Sequence, residues 1–560
     1  MGLSGRLPDK IAMYPDPIQG VNYRMSADDL RPGQAALMQN CYWDGGTRIR
    51  QGNTALNSTS LGAFVGRGGT KFYRVDGTSQ RLIAYNTNIS EISDAGVETV
   101  LDATRTANQD THFTTWSITD ACYVCNGSNT LGAVSANGTF ATTTGTNIPP
   151  SPVMVHPMVD RMLCLQSGSV RWTNARVDSV WSAASSTWCV VRPAGSAGGV
   201  NVIHPHSLTG QQGDPSTQML LFQDGAVSTL TGTDFGTDVT ASTPSTGFDV
   251  ALTLIDPTAG CRSPYGVATV PGLGTFWVTP VGNVAWLPFN QLTVKFVGNG
   301  LFSRRSDVLG LNNMNQSELD QVAMVYHDQK LKLFIPTSSN AYLSTQYWLD
   351  VRPLFEAQLA PGGNTDIVPA WSGPHTGQTF QRVWVENQAG DLDVLRALEG
   401  NTANGLYVYT VDADDVFYDT TGATTANIQY VYETFYHGFG APSWEKLLER
   451  IRWDCTGRIS SADVTIRDIH GDTVGGLTIT NQDGTAITYF LWGSGRAWGI
   501  GLWGEGTSSH QAGLTWVAQQ VASACLGDRL QVRVAYSANA NFVIHSMLPT
   551  VKIRRQPLPR

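Results

Sequence analysis

Charged residues are scarce in this sequence. Aspartate, glutamate, lysine and arginine account for 14% of the 560 residues, and the formal net charge at pH 7 is −9. Binding to phosphate backbones depends on clustered lysine and arginine, so this composition argues against a protein that holds nucleic acid tightly. It does not prevent DNA from passing nearby. Runs of like charge, or of proline and serine, are also too short to form a disordered domain.

Long apolar runs are missing as well. No segment approaches the roughly eighteen consecutive apolar residues that a transmembrane helix requires. The opening residues, MGLSGRLPDKIAMYPDP, lack the apolar core of a secretory signal. We therefore expect neither stable membrane insertion nor export.

Cysteine is too sparse for a disulfide framework. The eight cysteines are Cys41, Cys122, Cys125, Cys164, Cys189, Cys261, Cys455 and Cys525. Cys122 and Cys125 have the spacing of metal ligands, but no second pair of Cys or His accompanies them. On a strand, two side chains three residues apart face opposite ways. We therefore expect reduced, mostly buried thiols rather than a zinc site.

Signatures of catalysis are also missing. The sequence contains no HExxH, no GxxxxGK[ST], no GxSxG and no EF-hand loop. His204 and His206 flank a proline in a glycine-rich region, and we interpret them as part of a surface loop rather than as metal ligands. The sequence thus predicts a protein that is not an enzyme and holds no cofactor or metal.

Turns and short strands dominate what is present. The chain has 58 glycines, and apolar strand pairs recur around Gly or Asn turns near positions 77, 127, 168, 225, 282, 329 and 390, which lie 41 to 61 residues apart. A period near fifty, with two or more strands in each unit, is typical of β-propeller blades. We predict an all-β protein with a propeller of six or seven blades over residues 59–425. Unrelated hairpins in two sandwiches are the alternative.

The regions on either side of the propeller carry different patterns. Residues 426–560 alternate polar and apolar positions and predict a β-sandwich, although segment 443–451 is compatible with either a helix or a strand. Residues 1–58 predict an extended arm, a short helix starting at Pro32, and a hairpin. The hairpin joins Cys41–Trp43 to residues 47–50 around Asp44-Gly45-Gly46.

Arginines at the two ends of the chain are candidate contacts for an acidic partner. Arg48 and Arg50 lie two residues apart on a predicted strand and would share a face. Arg554 and Arg555 belong to a basic, proline-bearing C-terminal end, which either docks onto an acidic neighbour or remains a solvated tail.

Two further groups are candidate surfaces. Asp412, Asp414 and Asp415 form the acidic cluster of the sequence, but the glycine and terminal glutamate of a calcium loop are missing, so we expect a solvated or lumen-facing acidic patch. A glycine-rich stretch holds the aromatic residues Trp492, Trp498 and Trp503. These rings either contact a partner protein or sugar, or cover the core of the sandwich.

Several short strings resemble those of one protein family. The first is LRPGQA at 30–35, followed by Asn40, Gly45-Gly46 and RIRQG at 48–52. Others are GCRSPYGV at 260–267, FWVTPVGN at 276–283, WSGP at 371–374, YHGFG at 436–440 and FVIH at 542–545. Together they resemble the tail nozzle and hub proteins of short-tailed bacteriophages, including the packaged-DNA-stabilisation type.

The resemblance implies a structural virion protein of the phage tail, made in the cytoplasm of the bacterial host. Six copies would form a ring that contacts the portal and adaptor proteins and a tail needle, fibre or spike. The ring would retain packaged DNA and conduct it during ejection without reading its sequence. The competing hypothesis is a propeller protein that binds or degrades surface glycans during receptor recognition. For a ring protein, we expect deletion of residues 1–52 to impair assembly more than folding.

Overall fold

The structure is a computed structural model. It describes residues 10–11, 16–193, 198–206, 218–244, 248–289, 291–359, 368–387, 393–439, 445–457, 461–480, 515–527, 529–537 and 541–555. Strands dominate these residues, and their one α-helix is α1 (Arg352–Leu359). Short 3₁₀ segments occur at Asn299–Leu301, Leu311–Asn313, Gln316–Gln321 and Thr402–Asn404. Within the described residues, no helix is long and apolar enough to span a membrane.

The N-terminal segment consists of short strands that pair with distant parts of the chain. They are β1 (Lys10–Ile11), β2 (Leu37–Gln39), β3 (Cys41–Trp43), β4 (Thr47–Ile49) and β5 (Asn53–Ala55). The predicted hairpin is confirmed, because β3 and β4 pair in antiparallel register around Gly45.

The short helix predicted to start at Pro32 is wrong. The backbone N–H groups of Ala35 and Ala36 donate to the carbonyls of Gly20 and Glu433, at 2.8 and 2.9 Å, and not to a carbonyl four residues earlier. Tertiary partners have therefore replaced the local helical pattern, and the chain goes from a turn directly into β2.

Five propeller blades are separate four-stranded antiparallel sheets. Blade 1 contains β6 (Gly66–Tyr73), β7 (Ser79–Tyr85), β8 (Asn88–Ile92) and β9 (Glu98–Asp102). Blade 2 contains β10 (His112–Trp116), β11 (Ala121–Cys125), β12 (Gly132–Val134) and β13 (Phe140–Thr142). Blade 3 contains β14 (Met154–Met158), β15 (Arg161–Gln166), β16 (Ser169–Trp172) and β17 (Val190–Val191). Blade 4 contains β18 (Val202–His206), β19 (Gln218–Phe222), β20 (Val227–Thr231) and β21 (Ala251–Asp256). Blade 5 contains β22 (Val267–Val270), β23 (Gly274–Val278), β24 (Val284–Pro288) and β25 (Lys295–Phe296).

The last two blades share one long strand. They use β26 (Ala323–His327), β27 (Lys330–Ile335), β28 (Leu343–Asp350), β29 (Ala370–Asn387), β30 (Asp393–Glu399) and β31 (Val408–Val411). The first half of β29 pairs with β28 and completes blade 6, and its second half pairs with β30 and starts blade 7. The N-terminal strand β5 then pairs with β31 as the fourth strand of blade 7.

The strand pairings of the described residues therefore give a propeller of seven blades. The predicted propeller is confirmed, and the alternative of unrelated hairpins in two sandwiches is wrong. Middle strands such as β11 and β23 are buried at every position because each blade packs between two neighbours. Cys122 and Cys125 of β11 are buried in different apolar clusters, as their predicted opposite orientation requires.

After blade 7, the chain forms two sheets that pack face to face. Just before them, β32 (Tyr418–Thr421) pairs with β5 of blade 7, and β33 (Thr424–Asn427) pairs with β32. The strands that this part of the chain contributes to the two sheets are β34 (Gln429–Glu433), β35 (Glu445–Gly457), β36 (Ser461–Asp468), β37 (Thr473–Thr480), β38 (Thr515–Gly527), β39 (Leu530–Ser537) and β40 (Phe542–Arg555). One sheet has the order β3-β4-β40-β35-β38, with β1 also paired to β40, and the other has β2-β34-β39-β36-β37. Trp453, Ile466 and Val532 belong to their shared apolar core. The described part of the ambiguous segment 443–451 is strand, since β35 starts at Glu445.

Candidate functional site

Arg50, which we predicted to contact an acidic partner, lies inside the protein. Its residue exposure is 0%, and its Nη1 donates to Asp419 Oδ1 at 2.8 Å. Its other donors bond the Thr376 carbonyl at 2.7 Å and Asn40 Oδ1 at 3.1 Å. The prediction is wrong for Arg50, because a carboxylate 369 residues away in the sequence covers this end of the hairpin. The ion pair joins the N-terminal segment to β32, and the hydrogen bond to Thr376 joins it to β29.

Arg48 remains accessible. Its side chain is 40% exposed and sits 3.8 Å from the carboxylate of Asp44, and its Nε donates to the Asp44 carbonyl at 2.9 Å. Asp44 is also 3.3 Å from Arg352 at the start of α1. A contact between Arg48 and an acidic partner stays a prediction.

The acidic cluster separates into buried and exposed members. Asp412 forms a buried ion pair with Lys332, whose Nζ also lies 2.9 Å from His327 Nδ1. Burial lowers the pKa of Lys332, and the charge of Asp412 opposes this shift. Asp414 and Asp415 are exposed. The predicted acidic patch is therefore wrong for Asp412, whose carboxylate neutralises an internal lysine. In the part of the chain that the structure describes, no group of His, Cys, Asp or Glu side chains is arranged to hold a metal ion.

The candidate tryptophans and the C-terminal arginines have side chains outside the described set. Trp492, Trp498 and Trp503 lie outside the described residues. Arg554 and Arg555 end β40, where the backbone of Arg555 pairs with Glu445, but their side chains are also outside the described set. Their partner contacts stay predictions.

Three histidines from consecutive blades meet on the inner strands of the propeller. The ring centroids of His112 and His156 are 4.8 Å apart, and those of His156 and His204 are 6.1 Å apart. His204 Nε2 is 3.0 Å from Thr269 Oγ1 of blade 5. The surface loop that we predicted around His204 and His206 is wrong, since both belong to the inner strand β18. Burial lowers the pKa of His112 to about 4 and that of His204 to about 3.

A sequence signal for this arrangement exists. A His-Pro dipeptide occurs at 156–157 and again at 204–205, one blade repeat apart. Equivalent positions in neighbouring blades face the same axis, so the repeat predicts proximity once blades are recognised.

Next to His112 in the sequence, Asp110 and Thr111 belong to a cluster that joins blades across the centre of the propeller. Arg382 lies 2.6 Å from Asp110 and stacks over the ring of Tyr265, with 4.1 Å between its guanidinium carbon and the ring centroid. Tyr265, which precedes blade 5, donates to the Thr111 carbonyl next to blade 2 at 2.8 Å. Arg67 of blade 1 lies 3.3 Å from the same aspartate. Side chains thus fill the axis at this level, and a DNA duplex cannot thread through a single propeller.

Comparison with known proteins finds similar solved structures but no similar sequence family. No protein-family model matches the chain, and no curated protein matches it. Virginiamycin B lyase from Staphylococcus aureus is similar over 64% of this chain and 98% of its own, with 11% identity and a TM-score of 0.37. YCF48 bound to D1 peptide is similar over 67% of this chain and 97% of its own, with 9% identity and a TM-score of 0.33. PorZ of Porphyromonas gingivalis covers 68% of this chain and 42% of its own, also with 9% identity and a TM-score of 0.33. At these values, none of the three informs the function.

Proposed function

We propose that this chain is a structural subunit of a bacteriophage tail, a nozzle or hub that associates into a ring. The observation that carries the proposal is the meeting of the strings that resemble the tail family. Within the N-terminal string, the Asn40 N–H donates to the Pro374 carbonyl at 3.1 Å. Two residues close to that string, Gly20 and Met38, form β-bridges with Trp371 and Gly373. Strings far apart in sequence thus build one junction.

The C-terminal string joins the same junction. Thr47 and Arg48 pair with Ile544 and Val543, and His545 Nδ1 lies 3.2 Å from the Gly45 carbonyl. The last residue of the N-terminal string, Gly52, approaches β32 so closely that a Cβ there would overlap the Tyr418 carbonyl. The strings at 40–52, 371–374 and 542–545 therefore contact one another in this chain. This supports treating them as one pattern and not as separate coincidences.

The closed axis of the propeller determines how such a ring would conduct DNA. Because side chains fill the centre of each propeller, the conduit would form between copies. A net charge of −9 on each copy would keep phosphates from adhering to the wall of that conduit. The exposed carboxylates of Asp414 and Asp415 are candidate wall residues. We propose six copies in the virion tail, with portal and adaptor proteins and a needle, fibre or spike as neighbours.

Light scattering and electron microscopy of the purified full-length chain test this proposal. We expect rings, formed by the chain alone or after addition of the neighbouring tail proteins. Arg48→Glu should reduce assembly if Arg48 meets an acidic partner. Arg262→Glu is a matched control, because the Arg262 side chain is 47% exposed and also pairs with one aspartate. A chain that stays monomeric with and without its neighbours would contradict the proposal.

Incubation with bacterial surface glycans separates this function from receptor recognition. A tail nozzle should neither retain nor cleave capsular polysaccharide or lipopolysaccharide. Release of oligosaccharides would identify a glycan-degrading protein, and retention without cleavage would favour a glycan-binding protein. Either result would argue against a purely structural role.

A further inference from the structure

We propose that a cavity in blade 3 binds a small oxyanion, either free or carried on a molecule of monosaccharide size. The cavity measures about 320 Å³ and lies beside the turn that joins β15 to β16. Two arginines, two serines and two glycines dominate its lining: Arg171, Arg192, Ser167, Ser169, Gly168 and Gly199. Two cationic side chains in one cavity are unusual for a chain with so few charges.

Arg171 is a buried cation without a described anion. The residue is 4% exposed, and its guanidinium donates to Gln166 Oε1 at 2.7 Å, to the Asn147 carbonyl at 2.7 Å and, through Nε, to the Ser182 carbonyl at 2.9 Å. All these acceptors are neutral. Burial lowers the pKa of Arg171, and only the thiols of Cys164 and Cys189 oppose this shift. Burying a charge without a counter-ion is costly, so an anion supplied from outside would stabilise this site.

Arg192 adds a second, accessible guanidinium to the same cavity. Its Nε donates to Ser169 Oγ at 2.8 Å, and its Nη2 donates to the Ala184 carbonyl at 2.9 Å. These bonds fix the plane of the group, and its Nη1 donates to no partner among the residues described. Within that same set, no carboxylate forms an ion pair with either Arg171 or Arg192. Arg171 Nη2 also donates to the Ser182 carbonyl, so one N–H on Arg171 and three on Arg192 have no described acceptor. Guanidinium N–H groups suit a carboxylate or phosphate.

A contact between two glycines forms one side of the cavity. Ser167 and Gly168 have φ values of 49° and 72°, as a two-residue hairpin turn requires. A Cβ at Gly199 would lie 2.8 Å from the Cα of Gly168, so the segment leading into blade 4 approaches the turn as closely as backbone allows. Blades 3 and 4 therefore meet at the cavity without a side chain filling it.

The volume and the donors together define the ligand class. Small-molecule pockets start at roughly 300 Å³, so this cavity has room for more than a bare phosphate ion. Paired guanidinium groups select oxyanions over neutral molecules. Inorganic phosphate and the carboxylate of an acidic sugar share this chemistry, and the experiment must distinguish them.

Calorimetric titration of the full-length chain with phosphate, glucuronate and glucose tests the site at matched ionic strength. We expect saturable binding of phosphate or glucuronate, or of both, and none of glucose, which lacks the carboxylate of glucuronate. Arg192→Gln should weaken that binding by about tenfold or more, since it removes a charged hydrogen-bond donor. The control Arg262→Gln removes an exposed arginine outside the cavity and should leave binding unchanged.

Three outcomes would overturn the proposal. They are no binding of either oxyanion to the unmodified chain, equal binding to both variants and the unmodified chain, and binding of glucose that matches that of glucuronate. The titration of the unmodified chain is decisive even if Arg192→Gln fails to fold. The binding result does not depend on ring formation, so this experiment tests the oxyanion site independently of the proposed tail function.

Discussion

At the scale of single residues, this chain buries arginine in two different ways. Arg50 faces the carboxylate of Asp419, whereas Arg171 is surrounded by neutral acceptors. The first arrangement compensates the lost hydration of the cation within the fold, and the second leaves part of that loss uncompensated. Arg50 therefore has a structural role, while Arg171 belongs to a candidate binding site.

Removing the cation of the buried pair should destabilise the protein strongly. For Arg50→Met, we expect the free energy of unfolding to fall by about 3–5 kcal/mol, because Asp419 would stay buried without a counter-ion. Chemical denaturation measures this loss. The control Arg48→Met removes an exposed arginine of the same hairpin and should cost less than about 1 kcal/mol. Equal losses for the two variants would contradict the structural role of Arg50.

The histidines on the propeller axis should make the protein sensitive to acid. Burial lowers the pKa of His156 well below 6.5, and its Nε2 has no hydrogen-bond partner among the described residues. The unfolded chain therefore binds protons that the folded chain does not. The free energy of unfolding should thus be fully retained above about pH 6.5 and fall as the pH drops below it.

Replacing His156 with phenylalanine tests this origin of acid sensitivity. Between pH 6.5 and 4, we expect the stability of His156→Phe to decline less steeply than that of the unmodified chain, by up to about 1.4 kcal/mol per pH unit. Denaturant unfolding at a series of pH values measures the two slopes. His470→Gln removes an exposed histidine and should keep the original slope. Identical slopes for His156→Phe and the unmodified chain would exclude His156 as a source.

At the scale of elements, local signals predicted turns and strands better than they predicted partners. The hairpin at Gly45 and the blade turns near 77, 127, 168, 225, 282 and 329 follow from residues adjacent in sequence, and the structure has them. The turn predicted near 390 lies outside the described residues. The Arg50–Asp419 pair and the strand that replaces the helix at Pro32 depend on residues hundreds of positions away. The continuous strand β29 was also missed, since Gly373, Pro374 and Gly377 interrupt its apolar pattern.

The strands β1, β2 and β4 pair with strands far along the chain, and this changes the expected effect of an N-terminal deletion. Deleting residues 1–52 would remove four strands of the two C-terminal sheets, β1 to β4, together with Arg50, so we expect the chain to misfold rather than only fail to assemble. Deleting residues 1–15 removes Lys10 and Ile11 as the only described residues, and it should leave the fold intact. Circular dichroism and thermal unfolding of both truncations measure the difference. A natively folded chain lacking residues 1–52 would contradict this expectation.

At the scale of the whole molecule, stability rests on packed β-structure rather than on cross-links. The side chains of seven of the eight cysteines are described, and all seven are buried and form no disulfide. They occur in the N-terminal hairpin, in the blades and in the C-terminal sheets, so their thiols report on the integrity of the entire fold.

Thiol labelling should therefore follow global unfolding. Burial raises the pKa of Cys122, Cys164 and Cys261 to about 12, so almost no thiolate is present at pH 8. We expect the seven described thiols to react with an aromatic disulfide reagent only after guanidinium chloride is added, as followed by absorbance. The variant Cys525→Ser removes the one thiol whose side chain lies outside the described residues. Rapid reaction of several thiols in the native variant would contradict this expectation.

The strand β2 has a mechanical consequence for the molecule. It is hydrogen-bonded to β29 of the propeller on one edge and to β34 of the C-terminal sheets on the other. A force on the propeller is therefore transmitted to the C-terminal sheets through backbone hydrogen bonds and not through a flexible linker. Rotation of the propeller relative to the C-terminal sheets would break these hydrogen bonds, so we expect the two parts to move as one rigid unit.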